Sequence, residues 1–172
     1  MQNFSKFLGH YGEYFLKKKF KHIILHVTNH CNFRCAHCFV DFTNPPKDLK
    51  IDHYKKISKD VNDLFWLDIA GGEPLIQPQH YEALRKLLPY AKNITLEYNS
   101  NLNSIAQGNK QVIDLWRHFK QVNCRVSIDG DESTHSYLRT GSDLAKIEHN
   151  IKQLQQLDNV MITATCTTSL YN

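Results

Sequence analysis

Apolar positions along this chain of 172 residues recur with two alternating periods, one near two residues and one near 3.6 residues. The first period predicts β-strands and the second predicts amphipathic helices, so the alternation is typical of an α/β fold with a parallel sheet covered by helices. We expect five strands, at 22–28, 65–70, 93–98, 124–128 and 160–166.

Helices are predicted between the strands. The apolar positions that indicate them are Tyr54, Ile57, Val61 and Leu64; Tyr81, Leu84 and Leu88; Val112, Trp116 and Phe119; and Leu144, Ile147, Ile151 and Leu154. Pro78 suits the first turn of the second helix and Pro89 ends it, while Ser142 is the expected N-cap of the last helix. We expect residues 1–21 to form a helical lead-in and residues 22–172 to form one core.

Polar runs follow four of the predicted strands. They are "NHCNFRCAHC" at 29–38, "GGEP" at 71–74, "NSN" at 99–101 and "DGDE" at 129–132. Because the carboxyl ends of parallel strands meet at one rim of such a fold, these runs are expected to form a single site.

Three of the five cysteines, Cys31, Cys35 and Cys38, lie in the first of these runs. A structural zinc site needs four ligands, usually from two CxxC pairs, and no second pair follows. Three thiolates leave one metal position open, which suits an iron-sulfur cluster with one iron free to bind a ligand. The polar surroundings of the run argue against three buried structural cysteines.

The other two cysteines, Cys124 and Cys166, alternate with Val and Ile in predicted strands, and we expect both in the core. An apolar fraction of 41% with 22% charged residues is typical of a soluble globular chain. No apolar run has the length of a signal peptide or membrane span, so we expect a cytoplasmic protein with reduced thiols and no membrane partner. The net charge is +4 without a basic stripe among aromatics, and nucleic acid is not an expected partner.

The order and spacing of CxxxCxxC, GGEP, an Asn after strand three and "SIDG" after strand four resemble the radical S-adenosylmethionine (radical SAM) superfamily, from about Ile23 onward. The resemblance implies a partial (β/α) barrel and a 4Fe-4S cluster on Cys31, Cys35 and Cys38. It also implies S-adenosylmethionine as cofactor, cleaved reductively to a 5′-deoxyadenosyl radical that abstracts hydrogen from the substrate. An external electron donor of the flavodoxin or ferredoxin type is implied as well.

The same resemblance gives roles to the GGEP residues. Gly71 and Gly72 would let the backbone approach the methionine part of the cofactor, and Glu73 would accept hydrogen bonds from its ammonium group. Pro74 would fix the exit of the turn. The alternative is an ordinary Gly-Gly turn with a solvated glutamate.

Five further cofactor contacts are implied. His37 occupies a position where the family carries an aromatic residue against the adenine, and Asn99 matches the Asn of a Thr-Asn-Gly motif. Ser127 and Asp129 lie on the polar face of strand four, toward the cofactor. Arg139 matches an arginine that pairs with the methionine carboxylate. The alternatives are a surface histidine at 37 and a helix-surface arginine at 139.

The run "SIDGDESTHSYLRTG" is most similar to the family branch that modifies peptides and proteins and carries a cysteine-rich SPASM or twitch extension. Cys124 and Cys166 alone cannot build such an extension. A peptide or protein substrate is therefore one expectation, although no residue selects peptide over nucleotide or sugar. Two alternatives stay open: a non-catalytic iron-sulfur or metal-binding module, and a fragment, truncated after the fifth strand, whose unpaired edge a partner chain completes.

Overall fold

The computed structural model of the protein describes residues 22–40 and 64–172. The strands are β1 (His22–His26), β2 (Arg34–Cys35), β3 (Trp66–Ala70), β4 (Thr95–Ser100), β5 (Ala106–Gln107), β6 (Lys110–Gln111), β7 (Gln121–Ser127), β8 (Arg139–Thr140) and β9 (Val160–Thr165). Five of them form one parallel sheet in the order β1-β3-β4-β7-β9. Two short antiparallel ladders, β2-β8 and β5-β6, lie outside this sheet.

Four α-helices lie within the described ranges: α1 (Pro78–Leu87), α2 (Ile113–Trp116), α3 (Glu132–Leu138) and α4 (Leu144–Leu154). Two 3₁₀ helices, Pro74–Ile76 and Leu88–Asn93, flank α1. The predicted class, an α/β fold with a parallel sheet, is confirmed.

The register of the sheet separates an apolar face from a polar one. One row across all five strands consists of Leu25, Ile69, Tyr98, Cys124 and Ile162. The first four are buried, and they pack in the core with apolar residues of α1, α2 and α4. Because side chains alternate along a strand, the adjacent row faces the other way.

That adjacent row is Ile24, Asp68, Glu97, Asn123 and Met161. Asn123 Nδ2 donates to Glu97 Oε2 across two strands at 3.0 Å. The three central members of this row are polar, and this face is the one that a barrel turns toward its interior.

Several predicted boundaries were wrong. Strand three begins at Thr95 rather than residue 93, because the 3₁₀ helix Leu88–Asn93 continues the chain past Pro89. Strand four begins at Gln121, before the predicted residue 124. The third predicted helix is only the single turn α2. The helix α3 was not predicted at all.

Two single-residue predictions were also wrong. Asp143, not Ser142, caps α4, because its carboxylate accepts a hydrogen bond from Lys146 N at 3.0 Å. Cys166 is exposed and lies just beyond β9, because the strand ends at Thr165, whereas Cys124 is 1% exposed as expected.

The predicted lead-in over 1–21 lies outside the described residues, as do Tyr54, Ile57 and Val61 of the first predicted helix. Leu64 is buried and lies two residues before β3, outside any helix. No helix within 22–40 and 64–172 is long and apolar enough to cross a membrane.

Candidate metal and cofactor site

A cavity of about 240 Å³ lies at the carboxyl ends of the parallel strands. All the candidate residues line it except Pro74 and Asp129; the lining candidates are Cys31, Cys35, His37, Cys38, Gly71, Gly72, Glu73, Asn99, Ser127 and Arg139. Five residues that sequence reasoning did not select complete the wall: Phe33, Phe39, Ser100, Asn101 and Thr167. The loops after β1, β3, β4 and β7 therefore meet at one place, as parallel topology requires.

The short β2-β8 ladder holds the loop that carries the cysteines. Cys35 pairs with Arg139 in this ladder, and Ala36 N donates to Leu138 O at 2.9 Å. A turn then brings Cys38 N to Cys35 O at 3.1 Å. Cys35 is thus fixed by backbone bonds to a segment far along the chain, and the turn ties Cys38 to Cys35.

All three thiols are partly exposed, and each has an N–H group within hydrogen-bonding distance of its sulfur, which for Cys35 belongs to Arg139 Nη1 at 3.8 Å. Phe33 N donates to Cys31 Sγ at 3.4 Å and Val40 N donates to Cys38 Sγ at 3.5 Å. Burial raises the pKa of Cys31 to about 11, although the Phe33 N–H opposes the shift. Burial also raises the pKa of Cys35, which Arg139 opposes. Such thiols become thiolates when a metal replaces the proton.

Gly71 and Gly72 are required by the backbone of this chain. A Cβ on Gly71, which has φ +134°, would overlap the carbonyl oxygen of Thr28, and one on Gly72 would overlap that of His30. Gly72 N donates to Thr28 O at 2.6 Å, and the next residue, Glu73, donates its N–H to His30 O at 2.8 Å. The glycines therefore join the GGEP loop to the start of the cysteine loop.

The Glu73 carboxylate is buried and accepts three hydrogen bonds, all from neutral groups. Leu75 N and Ser100 Oγ donate to Oε1 at 3.0 and 2.8 Å, and Asn101 N donates to Oε2 at 2.8 Å. Burial raises the pKa of Glu73 to about 7 despite these three donors. A cation in the cavity would stabilise the ionised form of this carboxylate. Pro74 is buried behind Glu73 and begins the 3₁₀ helix.

Asn101 joins the end of β4 to the cysteine loop. Asn99 is exposed at the cavity wall, whereas Asn101 Nδ2 donates to Asn32 Oδ1 at 2.9 Å and lies 3.8 Å from Cys31 Sγ. Leu102 follows with φ 49°, a conformation that usually favours glycine. Asn99, Ser100 and Asn101 all line the cavity, and Asn101 is the one that bonds to the cysteine loop.

Asp129 and Arg139 form a buried bidentate ion pair. Arg139 Nε lies 2.7 Å from Asp129 Oδ2, and Nη2 donates to Oδ1 at 3.1 Å. Thr167 N also donates to Oδ1, at 2.8 Å. Burial alone would raise the pKa of Asp129, but the bonds from Arg139 and Thr167 outweigh it, and the pKa is lowered. Arg139 is only 8% exposed, so the helix-surface alternative is wrong.

His37 is exposed at the cavity, with Nε2 3.7 Å from Asp129 Oδ2. Ser127 ends β7 and faces the cavity on the side opposite to buried Val126. His135, which the sequence did not single out, is buried and accepts a hydrogen bond from Asp129 N at Nδ1, 3.2 Å away. Its place on the unpredicted α3 explains why periodicity gave no signal for it.

The three thiols and the Glu73 carboxylate around the cavity fit the predicted cluster and cofactor. Within the described ranges, no three His, Cys, Asp or Glu side chains are spaced to hold a single metal ion. A cubane cluster needs its thiolates spread over three different irons, and three thiols around one cavity provide that arrangement. The buried Glu73 adds a hydrogen-bond acceptor for an ammonium group. It follows Gly71 and Gly72, whose lack of side chains lets the backbone come close to a bound group.

Comparison with known proteins agrees with this geometry. The family model of the radical SAM superfamily matches residues 25–168. The chain belongs to this superfamily. Its α/β core is a partial (β/α) barrel of the radical SAM type.

Among curated relatives, the chain is 26% identical over 133 residues to GTP 3′,8-cyclase of Pectobacterium atrosepticum, covering 73% of this chain and 39% of the relative. It is 25% identical over 144 residues to the sporulation killing factor maturation protein SkfB of Bacillus subtilis, covering 81% of this chain and 34% of SkfB. The crystal structure of Streptococcus suis SuiB bound to precursor peptide SuiA superposes with a TM-score of 0.69 at 17% identity, covering 98% of this chain and 38% of SuiB. The chain thus spans less than two fifths of each.

Proposed function

We propose that this chain is a radical SAM enzyme core. Cys31, Cys35 and Cys38 would hold a 4Fe-4S cluster, and the cavity beside them would bind S-adenosylmethionine. When bound and reduced, the cluster supplies the electron that cleaves the cofactor's sulfonium and yields a 5′-deoxyadenosyl radical for hydrogen abstraction from a substrate. The observation that carries the proposal is the convergence of three thiols and the buried Glu73 carboxylate on one cavity.

The chain's own residues would bind and orient the cofactor. Glu73 is positioned to accept from the ammonium group, and its neutral donors leave the carboxylate's charge uncompensated for that cation. Gly71, Gly72 and Ser127 form walls with little side-chain bulk, while the exposed imidazole of His37 offers a surface for the adenine. Asn99 lies at the rim, where it could contact the cofactor's polar edge.

We further propose a peptide or protein substrate. SuiB, whose structure includes a precursor peptide, and SkfB, named as a maturation protein, support this class. GTP 3′,8-cyclase supports the competing class, a nucleotide. We also propose a cytoplasmic location and a flavodoxin-type or ferredoxin-type electron donor, because free thiols and a reducible cluster need a reducing compartment.

Anaerobic reconstitution with iron and sulfide, followed by titration with S-adenosylmethionine, tests the core proposal. We expect a cluster spectrum that the cofactor perturbs, and 5′-deoxyadenosine formation when dithionite is added. A cluster without any response to the cofactor would instead support a non-catalytic iron-sulfur module. No turnover despite normal cofactor binding would favour the fragment that needs a partner chain.

Replacement of the cysteines gives a matched prediction. Cys31→Ala, Cys35→Ala and Cys38→Ala should each abolish assembly of the full cluster, because two thiolates do not hold a cubane stably. Cys166→Ala is the control, since Cys166 is exposed and does not line the cavity. Iron and sulfide analysis measures the outcome. A full cluster in any of the first three variants would contradict the ligand assignment.

A further inference from the structure

Arg139 lies between a buried carboxylate and one of the three cavity thiols. Its Nε and Nη2 edge faces Asp129, at 2.7 and 3.1 Å, while Nη1 lies 3.8 Å from Cys35 Sγ. The guanidinium therefore separates the Asp129 carboxylate from the sulfur. A planar group with donors on every edge suits this position, and a lysine ammonium does not.

Arg139 is held in place through both its side chain and its backbone. Asp129, which anchors it, is 0% exposed and is itself fixed by Thr167 N from the segment after β9. The Arg139 backbone pairs with Cys35 in the β2-β8 ladder. Backbone and side chain are thus constrained separately, and rotation away from the sulfur would break the bidentate bonds to Asp129.

Cys35 differs from the other two thiols in the charge of its donor. Cys31 and Cys38 each receive a neutral backbone N–H from the residue two positions ahead, Phe33 and Val40. The donor nearest Cys35 is the cationic side chain of Arg139. Of the three thiols, Cys35 is therefore the one whose sulfur is contacted by a positively charged donor.

We propose that Arg139 raises the reduction potential of the bound cluster through Cys35, whether or not S-adenosylmethionine is present. This proposal rests on the proposed function, because it requires a cluster on the three cysteines. Reduction adds negative charge to a cluster and its ligand sulfurs, so a nearby cation and an N–H donor to sulfur favour the reduced state. Asp129 is the positioning residue that directs the guanidinium toward the sulfur.

Redox potentiometry monitored by electron paramagnetic resonance, without S-adenosylmethionine, tests the proposal on the reconstituted protein. Arg139→Gln should shift the midpoint potential of the cluster to more negative values than in the wild type. Arg125→Gln is the control: it removes the same charge from a half-exposed arginine whose partner is Glu97 and which does not line the cavity. Its midpoint potential should equal that of the wild type.

Because Arg139→Gln leaves the Asp129 carboxylate buried without its cation, the single variant is at risk of unfolding. The double variant Asp129→Asn with Arg139→Gln removes both charges and keeps a pair of amides at the same place. Its potential should still be more negative than that of the wild type, since the guanidinium lies nearer the sulfur than the carboxylate does.

Two results would overturn the proposal, and they are distinguishable. A loaded double variant with unchanged potential but weakened binding of S-adenosylmethionine would make Arg139 a ligand of the cofactor alone. Failure of the wild-type chain to assemble any cluster would overturn the proposed function, and this inference with it.

Discussion

Gly72 has no side chain, and this allows the GGEP loop to pack directly against the start of the cysteine loop. Replacement by alanine would place a Cβ against the His30 carbonyl, and relief requires the two loops to separate. We expect Gly72→Ala to reduce the free energy of unfolding by about 3 kcal/mol or more, because the bonds from Gly72 N and Glu73 N would be strained or lost. Urea denaturation of the cofactor-free chain measures this.

Gly108 provides the control for this substitution. It has φ +61° in the β5-β6 hairpin, and a Cβ there would meet nothing within 4 Å. Gly108→Ala should therefore cost only the left-handed backbone penalty, about 1 kcal/mol. Equal losses in the two variants would show that the contact with His30 is not the cause.

At this scale, the residue types at the ends of the strands predicted which loops line the cavity. Thiols, glycines and a glutamate after successive strands were enough to indicate one cavity. The predicted cofactor contact Asn99 lines the cavity, and its contact with the cofactor stays a prediction. Only the fold distinguishes the exposed Asn99 from Asn101, whose backbone N–H reaches Glu73 and whose side chain reaches Asn32.

Helix α4 offers the clearest test at the scale of an element. Asp143→Ala should destabilise the chain by about 1 kcal/mol, because the Lys146 N–H would lose its cap. Ser142→Ala should change the free energy of unfolding by less than about 0.5 kcal/mol, since Ser142 Oγ is buried without a partner among the described residues. Thermal or urea unfolding of both variants decides this. A larger loss of stability from Ser142→Ala than from Asp143→Ala would show that Ser142 is the N-cap.

The elements that periodicity missed are short or polar. β2 and β8 have two residues each, too few for any alternation, and their pairing depends on the fold of everything between them. Helix α3 carries "ESTHSYL", in which only His135 and Leu138 are buried, so it has no apolar stripe. The long strands and α1 were predicted because their apolar rows face a core. Such rows produce the hydrophobic periodicity on which the prediction was based.

For the whole molecule, Glu73 links pH to folding stability. Its pKa rises from an ordinary 4.5 to about 7 in the folded, cofactor-free chain, mainly through burial. The folded state therefore binds this proton more tightly than the unfolded state. The stabilisation that this proton gives to the folded state is present in full below pH 4.5 and is lost as the pH rises through 7.

Glu73→Gln cannot titrate, so the stability difference between wild type and variant should fall with rising pH. The decrease should reach about 3 kcal/mol between pH 4.5 and 7.5. Urea unfolding of both proteins at several pH values, without metal or cofactor, measures it. An increase over the same window would mean that the donors from Leu75, Ser100 and Asn101 outweigh burial.

The pairing of Cys35 with Arg139 also sets an order of events during synthesis. The two residues lie 104 positions apart, so all three cysteines leave the ribosome long before the strand that orders them exists. Because closing such a long loop costs entropy, we expect this contact to form late in folding, after the sheet that brings its ends together. The cysteine loop is therefore made well before β8 and is expected to become ordered only after β8 has formed. Iron and sulfide delivered to a nascent chain would find the three cysteines held in place only after β8 has emerged.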